Sequence, residues 1–146
     1  MKTLKQINWL ETYSVGNVII DNEHKELIEI YNGLVNAVEN NEGNERYSQI
    51  ILNLTSCSLL HFKMEDEYMK ELYSSVLFAF KKTHKNFIYK IAMINVELST
   101  GNSVEMVEIC SYLKRWLESH LVTESAYYHR SRMLETSIIQ NEAIAI

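Results

Sequence analysis

Leu60-His61-Phe62-Lys63-Met64-Glu65-Asp66-Glu67-Tyr68-Met69 is the stretch that decides the fold of this chain. A histidine and a glutamate four residues apart in a helical sequence lie one turn apart on the same face. The residues that continue that face are Tyr47, Ile50, Ile51, Leu54, Cys57, Met64 and Tyr68, so His61 and Glu65 are expected to point inward. An unpaired carboxylate in an apolar interior costs several kcal/mol. A metal ion is the most economical group that satisfies both side chains at once.

Three further stretches repeat this pattern with offsets of three and four residues. Over about 21–40 the stripe is Ile20, His24, Leu27, Ile28, Tyr31, Leu34, Val35 and Val38. The motif itself belongs to a helix over about 44–73. A third helix, about 76–99, lines up Leu77, Phe80, His84, Phe87, Ile88, Ile91 and Leu98, and a fourth, about 103–130, lines up Met106, Cys110, Leu113, Leu117, His120, Glu124 and Tyr127. The breaks fall at Asn40–Asn44, at Ser74-Ser75 and at Thr100–Ser103, where Asn102 and Glu105 are spaced like a capping box. Asp21 or Asn22 is the expected cap of the first long helix. Short turns between long helices predict an all-α, up-down-up-down four-helix bundle in a single domain spanning 1–146. An N-terminal arm over about 1–19, with Trp9, Tyr13 and the turn Val15-Gly16-Asn17, is expected to strap across it. Residues from about 131 form a C-terminal tail, whose apolar patches Ile138-Ile139 and Ala143–Ile146 leave room for a homo-oligomer.

Bulk composition agrees with long helices and narrows the function. The 146 residues include four glycines and no proline. A net charge of −5, with Lys and Arg scattered, argues against nucleic acid as the main partner. No apolar run approaches the roughly 18 residues that span a membrane, and the first residues lack a signal peptide's apolar core, so a cytoplasmic location is expected. Cys57 and Cys110 sit on apolar stripes and read as buried, reduced thiols.

Each helix contributes one inward histidine, His24, His61, His84 and His120, and two of these have an inward carboxylate at i+4, Glu65 and Glu124. A single histidine on an apolar face is more often a satisfied core residue than a ligand. Four of the five histidines on four separate stripes point instead to one shared site. His129 reads as a surface residue, Asp66, Glu67 and Glu118 as solvated charges, and Glu23 and Lys25 as solvent-facing. An imidazole and carboxylate donor set suits iron, manganese or zinc. Such sites inside bundles often hold two irons.

At this point the chain resembles the bacterial hemerythrins. The resemblance is carried by the Trp9 arm, Val15-Gly16, Ile20-Asp21-Asn22-Glu23-His24-Lys25-Glu26-Leu27, His61-Phe-Lys-Met-Glu65, His84-Lys-Asn-Phe87 and Trp116-Leu-Glu-Ser-His120. It implies a four-helix bundle around a bridged di-iron site that binds O2 or a similar small diatomic ligand. By that resemblance His24 and His61 hold one iron, His84 and His120 the other, and Glu65 bridges. Two positions depart from the family pattern. Phe80 stands where the family has a histidine, and Ser125 where it has a bridging aspartate. Both fall on the second iron, whose chemistry is therefore expected to be altered. Glu124, about 40° around the helix from His120, is the candidate substitute bridge.

Two other readings stay open. Four histidines and Glu65 complete a site for one iron or zinc, with oxidase- or peroxidase-like chemistry within reach, though binding of oxygen or iron without catalysis is the leading expectation. A metal-indifferent helical interaction module is the third.

Overall fold

The computed structural model describes the backbone of residues 4–72 and 74–144, with side chains described for 4–70 and 77–130. The described residues form a short 3-10 turn, Glu11–Tyr13, and four helices: α1 (Val18–Glu39), α2 (Asn44–Leu72), α3 (Ser74–Ser99) and α4 (Met106–Ile144). Among the described residues there is no strand, and the helices pack as a four-helix bundle.

The first helix starts earlier than the sequence pattern suggests. Its cap is Asn17, whose side-chain oxygen accepts from the backbone N–H of Ile19 at 3.0 Å and of Ile20 at 3.3 Å. Asp21, the expected cap, lies in the first turn, where a carboxylate suits the positive end of the helix. It accepts instead from the backbone N–H of Val15 at 2.9 Å and from the Ser14 hydroxyl at 2.5 Å, which ties the arm to the helix start. Asn41 and Gly43, with φ of 51° and 96°, turn the chain into α2. Both residue types reach that left-handed region at low cost.

The fourth helix also departs from expectation at both ends. It begins at Met106 rather than near 103, and the expected cap Asn102 spends its carbonyl on the Asn44 side chain across the loop. It then runs on to Ile144, so the tail expected from about 131 is helical. The physical reason is simple: nothing between 131 and 144 is proline or glycine, so no residue stops it. The contacts of the apolar patches Ile138-Ile139 and Ala143–Ile146 lie outside the described residues. The break expected at Ser74-Ser75 is displaced, because both serines are helical and open α3 just after α2 ends at Leu72, and residue 73 lies outside the described residues.

The backbones of α1 and α2, α2 and α3, and α1 and α4 pack closely. Helices α3 and α4 meet mainly through large side chains, with Phe87 stacked on Trp116 at 3.8 Å between ring centroids. Burial creates two apolar clusters. The larger includes Leu34, Ile51, Leu54, Phe87, Ile91 and Leu113, with Ile7 and Tyr13 of the arm. The smaller contains Val15, Ile20, Met69, Phe80 and Tyr128. All four inward histidines fall between these clusters along their helices, so a polar level is sandwiched between two dry ones. Met64 is the exception to the inward stripe of α2: it is exposed, and Cys57 is only half-buried. Cys110 is buried as expected, and burial pushes its thiol up to about 12.

The arm is held by polar as well as apolar contacts. Asn32 accepts from the Ile7 N–H at 2.8 Å and donates to the Ile7 carbonyl at 2.9 Å, while the Tyr31 hydroxyl donates to the Lys5 carbonyl at 2.8 Å. Replacing Asn32 by alanine leaves a part-buried peptide unit unpaired, which should lower stability by about 1–3 kcal/mol. Urea unfolding followed by tryptophan fluorescence checks this. An unchanged midpoint would show that the arm is held by its apolar side chains alone.

Candidate metal centre

Five buried residues from three helices bring one donor atom each to within 4.8 Å of one another: His24 on α1, His61 and Glu65 on α2, and His120 and Glu124 on α4. Glu65 is the hub. Its Oε1 touches His61 Nε2, lies 3.1 Å from His120 Nε2 and 3.6 Å from His24 Nε2. Glu124 divides its two oxygens. Oε2 lies 3.2 Å from His24 Nε2, whereas Oε1 lies 3.1 Å from His120 Nε2 and 3.7 Å from His84 Nε2. His84 of α3 thus joins from the side, through Glu124, rather than as a sixth member of the compact group.

The imidazole rings are oriented by their surroundings. His84 lies flat on Phe62, with centroids 4.0 Å apart and planes 4° from parallel. His120 stacks on Trp116 at 4.9 Å. Two carboxylates set the direction of two rings. His61 Nδ1 is 3.0 Å from Glu23 Oε1, and His84 Nδ1 is 3.1 Å from Asp66 Oδ1. An ionised carboxylate only accepts, so each Nδ1 carries the proton and donates, leaving the Nε2 lone pair facing the nest. That is the arrangement by which proteins fix metal-binding histidines.

Glu23 and Asp66 therefore correct the expectation from sequence, in which both were solvated charges. The inward stripes pass through His24 and Glu65, their immediate neighbours. A position one residue away lies 100° around the helix, on a flank facing the adjacent helix. The remaining expectations about the polar residues agree with the structure for His129 and Glu67, which are exposed, and Glu118 pairs with Lys114 on its own helix.

Burial pushes the His61 imidazole down to about 3, against the pull of the Glu65 carboxylate and with the help of the other three imidazoles. Burial and the nearby His120 likewise push His84 down to about 4. Burial alone would raise the Glu65 carboxyl. His120, by charge and hydrogen bond, together with His24 and His61, outweighs it and holds Glu65 below the usual carboxylate range. Burial raises Asp66 to about 6 and also raises Glu23. At neutral pH His61 and His84 are thus neutral, the form that ligates.

The donor set fits a cation. His24 Nδ1 and Nε2, His61 Nε2, His84 Nε2, Glu65 Oε2 and both Glu124 oxygens are buried without a hydrogen-bond partner. So many unpaired polar atoms in one place would be costly without an ion to meet them. Nitrogen and oxygen donors without thiolate suit iron, manganese or zinc.

The two positions that the resemblance marks as departures, Phe80 and Ser125, have different settings. Phe80 is buried in the smaller apolar cluster, edge-on to Tyr127 at 5.1 Å and 5.9 Å from His84, so it flanks the nest rather than occupying it. The Ser125 hydroxyl donates to the Val122 carbonyl of its own helix at 3.1 Å, away from the nest. Glu124, the expected substitute, does face inward and is buried.

Residues 15–130 match the Hemerythrin HHE cation binding domain. The chain is 30% identical over 120 residues to a bacteriohemerythrin of Pseudomonas aeruginosa, covering 82% of this chain and 77% of the relative. It is 27% identical over 124 residues to a bacteriohemerythrin of Clostridium acetobutylicum, covering 82% of this chain and 96% of the relative. A hemerythrin-like protein of Naegleria gruberi is 25% identical over 114 residues, covering 78% and 83%. A four-helix bundle with a buried histidine and glutamate nest is the architecture of a metal-binding helical domain. This chain belongs to the hemerythrin family.

The depressed histidines make a pH prediction for the metal-free protein. Their ordinary value is 6.5, so below that pH the unfolded chain binds protons that folded His61 and His84 refuse. Stability should fall as pH drops from 6.5 towards 4, by at most about 1.4 kcal/mol per pH unit for each histidine. Asp66 and Glu23, raised in the folded state, offset part of this below about 6. The urea midpoint should be lower at pH 5 than at pH 7, with a shallower loss in His84→Asn. A midpoint that rises on acidification would contradict the assignment of neutral buried imidazoles.

Proposed function

We propose that this chain is a non-haem iron protein that takes up O2 or a related small diatomic ligand at its buried nest. His24 and His61 would hold one ion and His84 and His120 the other, with Glu65 and Glu124 placed to contribute to both. The observation that carries the reading is Glu124, whose two oxygens face different imidazoles, one towards His24 and one towards His84 and His120. A carboxylate that divides its oxygens in this way is suited to lie between two ions, and it stands one residue before the position that Ser125 leaves without a donor. Iron, when bound, supplies redox chemistry towards dioxygen. The chain's own part is to keep the His61 and His84 imidazoles neutral by burial, to aim their Nε2 atoms inward through Glu23 and Asp66, and to exclude water with the apolar clusters on either side. Phe80 brings no donor, so the His84 end has fewer protein ligands than the family pattern provides, which leaves more room for exogenous ligands there.

A second reading, one iron or zinc ion, is favoured by a specific observation: five donors without His84 already lie within 4.8 Å of one another. A metal-indifferent interaction module is disfavoured by the unpaired buried atoms of the nest. We also place the protein in the cytoplasm, where half-buried Cys57 would stay reduced, and among the described residues no helix is long and apolar enough to cross a membrane.

Because a metal binds the folded state only, adding Fe(II) without oxygen should raise the melting temperature. The rise should reach about 10 °C at a thousandfold excess over Kd. Glu124→Ala should lose most of that rise, and an unchanged response would exclude Glu124 as a ligand. Glu23→Ala removes the acceptor from His61 Nδ1 without touching a proposed ligand, so metal affinity should fall about 10–100-fold, measured by competition with a chelator. No thermal response of the natural chain to Fe(II) or Zn(II) would sink the metal-binding reading itself.

A further inference from the structure

The seam between α3 and α4 is more open than the other neighbouring pairs, because large side chains rather than backbones close it. A cavity of about 300 Å3 occupies it, which is at the lower end of the range for small-molecule sites. That volume far exceeds what a diatomic ligand needs. Its walls and its inner end have distinct chemistry. Phe80, Trp116 and Tyr127 give it aromatic walls, and Ser119 and Thr123 place hydroxyl groups at the exposed mouth. The inner end is His84, His120 and Glu124.

Two features of the inner end define what fits. His84 Nε2 and both oxygens of Glu124 are buried and unpartnered, and His84 is 4% and Glu124 1% exposed. With the His84 Nδ1–H donating to Asp66, its Nε2 is an acceptor, and the carboxylate oxygens accept as well. An inner end made of acceptors requires a ligand that brings a donor. An anion would be repelled by the carboxylate, whereas a flat apolar body suits the aromatic walls. Phe80 is part of the reason the space exists, since it packs back into the smaller apolar cluster against Tyr127.

We infer that the α3–α4 cavity is a binding pocket for a small neutral aromatic hydroxy compound of the phenol class, its hydroxyl donating to Glu124 or His84 at the inner end. This rests on the reading of the nest only in that the pocket opens on the same residues, whose acceptors a bound ion would take, and the two fail separately. The probe is 4-fluorophenol, followed by fluorine NMR and calorimetry on the full chain in its metal-free form, in which the lone pairs of Glu124 and His84 are free to accept. Saturable binding of one molecule per chain is expected. Fluorobenzene, which has no donor, and 4-fluorobenzoate, an anion, should each bind at least tenfold more weakly.

Thr123→Trp and, on the facing helix, Thr83→Trp fill the mouth from exposed positions, so each should weaken fluorophenol binding at least tenfold while helicity and zinc uptake stay unchanged. Absence of saturable binding, equal binding of fluorobenzene, or binding untouched by both tryptophan variants would overturn the pocket even if zinc loads. Fluorophenol binding that obeys these rules in a chain that takes up no metal would leave the pocket standing and remove the metal centre.

Discussion

The structure depends on one constraint, the burial of the Glu65 carboxylate among imidazoles from three helices. Glu65 is fully buried, and its Oε1 meets His24, His61 and His120, on α1, α2 and α4. A carboxylate in that position cannot be left alone, because isolated charge in a dry interior is far more costly than any single helix contact can offset. Everything around it serves to meet that cost. The histidines are aimed at one level, the apolar clusters on either side keep that level dry, and Glu23 and Asp66 hold two rings from behind. The bundle is in this sense built around a polar layer that its apolar layers alone would not tolerate.

The two ends of the nest are not equivalent. His24 and His61 sit against the close packing of α1 on α2, and Glu23 stands behind His61. His84 faces the seam with α4, and Asp66 behind it borders a second groove lined by Lys63, Lys70, Lys81 and Lys85. Phe80, which brings no donor to the nest, lies on this looser side. Glu124 reaches this side too, with one oxygen towards His84 and His120 and the other towards His24.

Much of this was legible in the sequence because helices impose a strict period. Apolar residues at offsets of three and four gave the helices and their inward faces, and four histidines on those faces gave the site. The i+4 relation alone picked out Glu65 and Glu124. What escaped were features that period does not encode. Glu23 and Asp66 lie on flanks, where a charge reads as solvated until the neighbouring helix is known. Met64 is exposed although it adjoins the inward face of α2, because a stripe drawn from offsets alone is broader than the face that packs. The cap of α1 moved to Asn17 because Asp21 was needed to fasten the arm, a contact between distant roles that local pattern cannot show. Helix α4 ran past residue 130 because hydrophobic period weakened there while helix propensity did not.

Metal content is the measurement closest to the central proposal, iron and zinc counted per chain on protein purified without oxygen. Two iron ions per chain is the expected result, with Glu124 supplying the shared carboxylate that Ser125 cannot. One ion or none would contradict it: one ion would mean that the five compact donors act without His84, and none would remove the metal-binding reading.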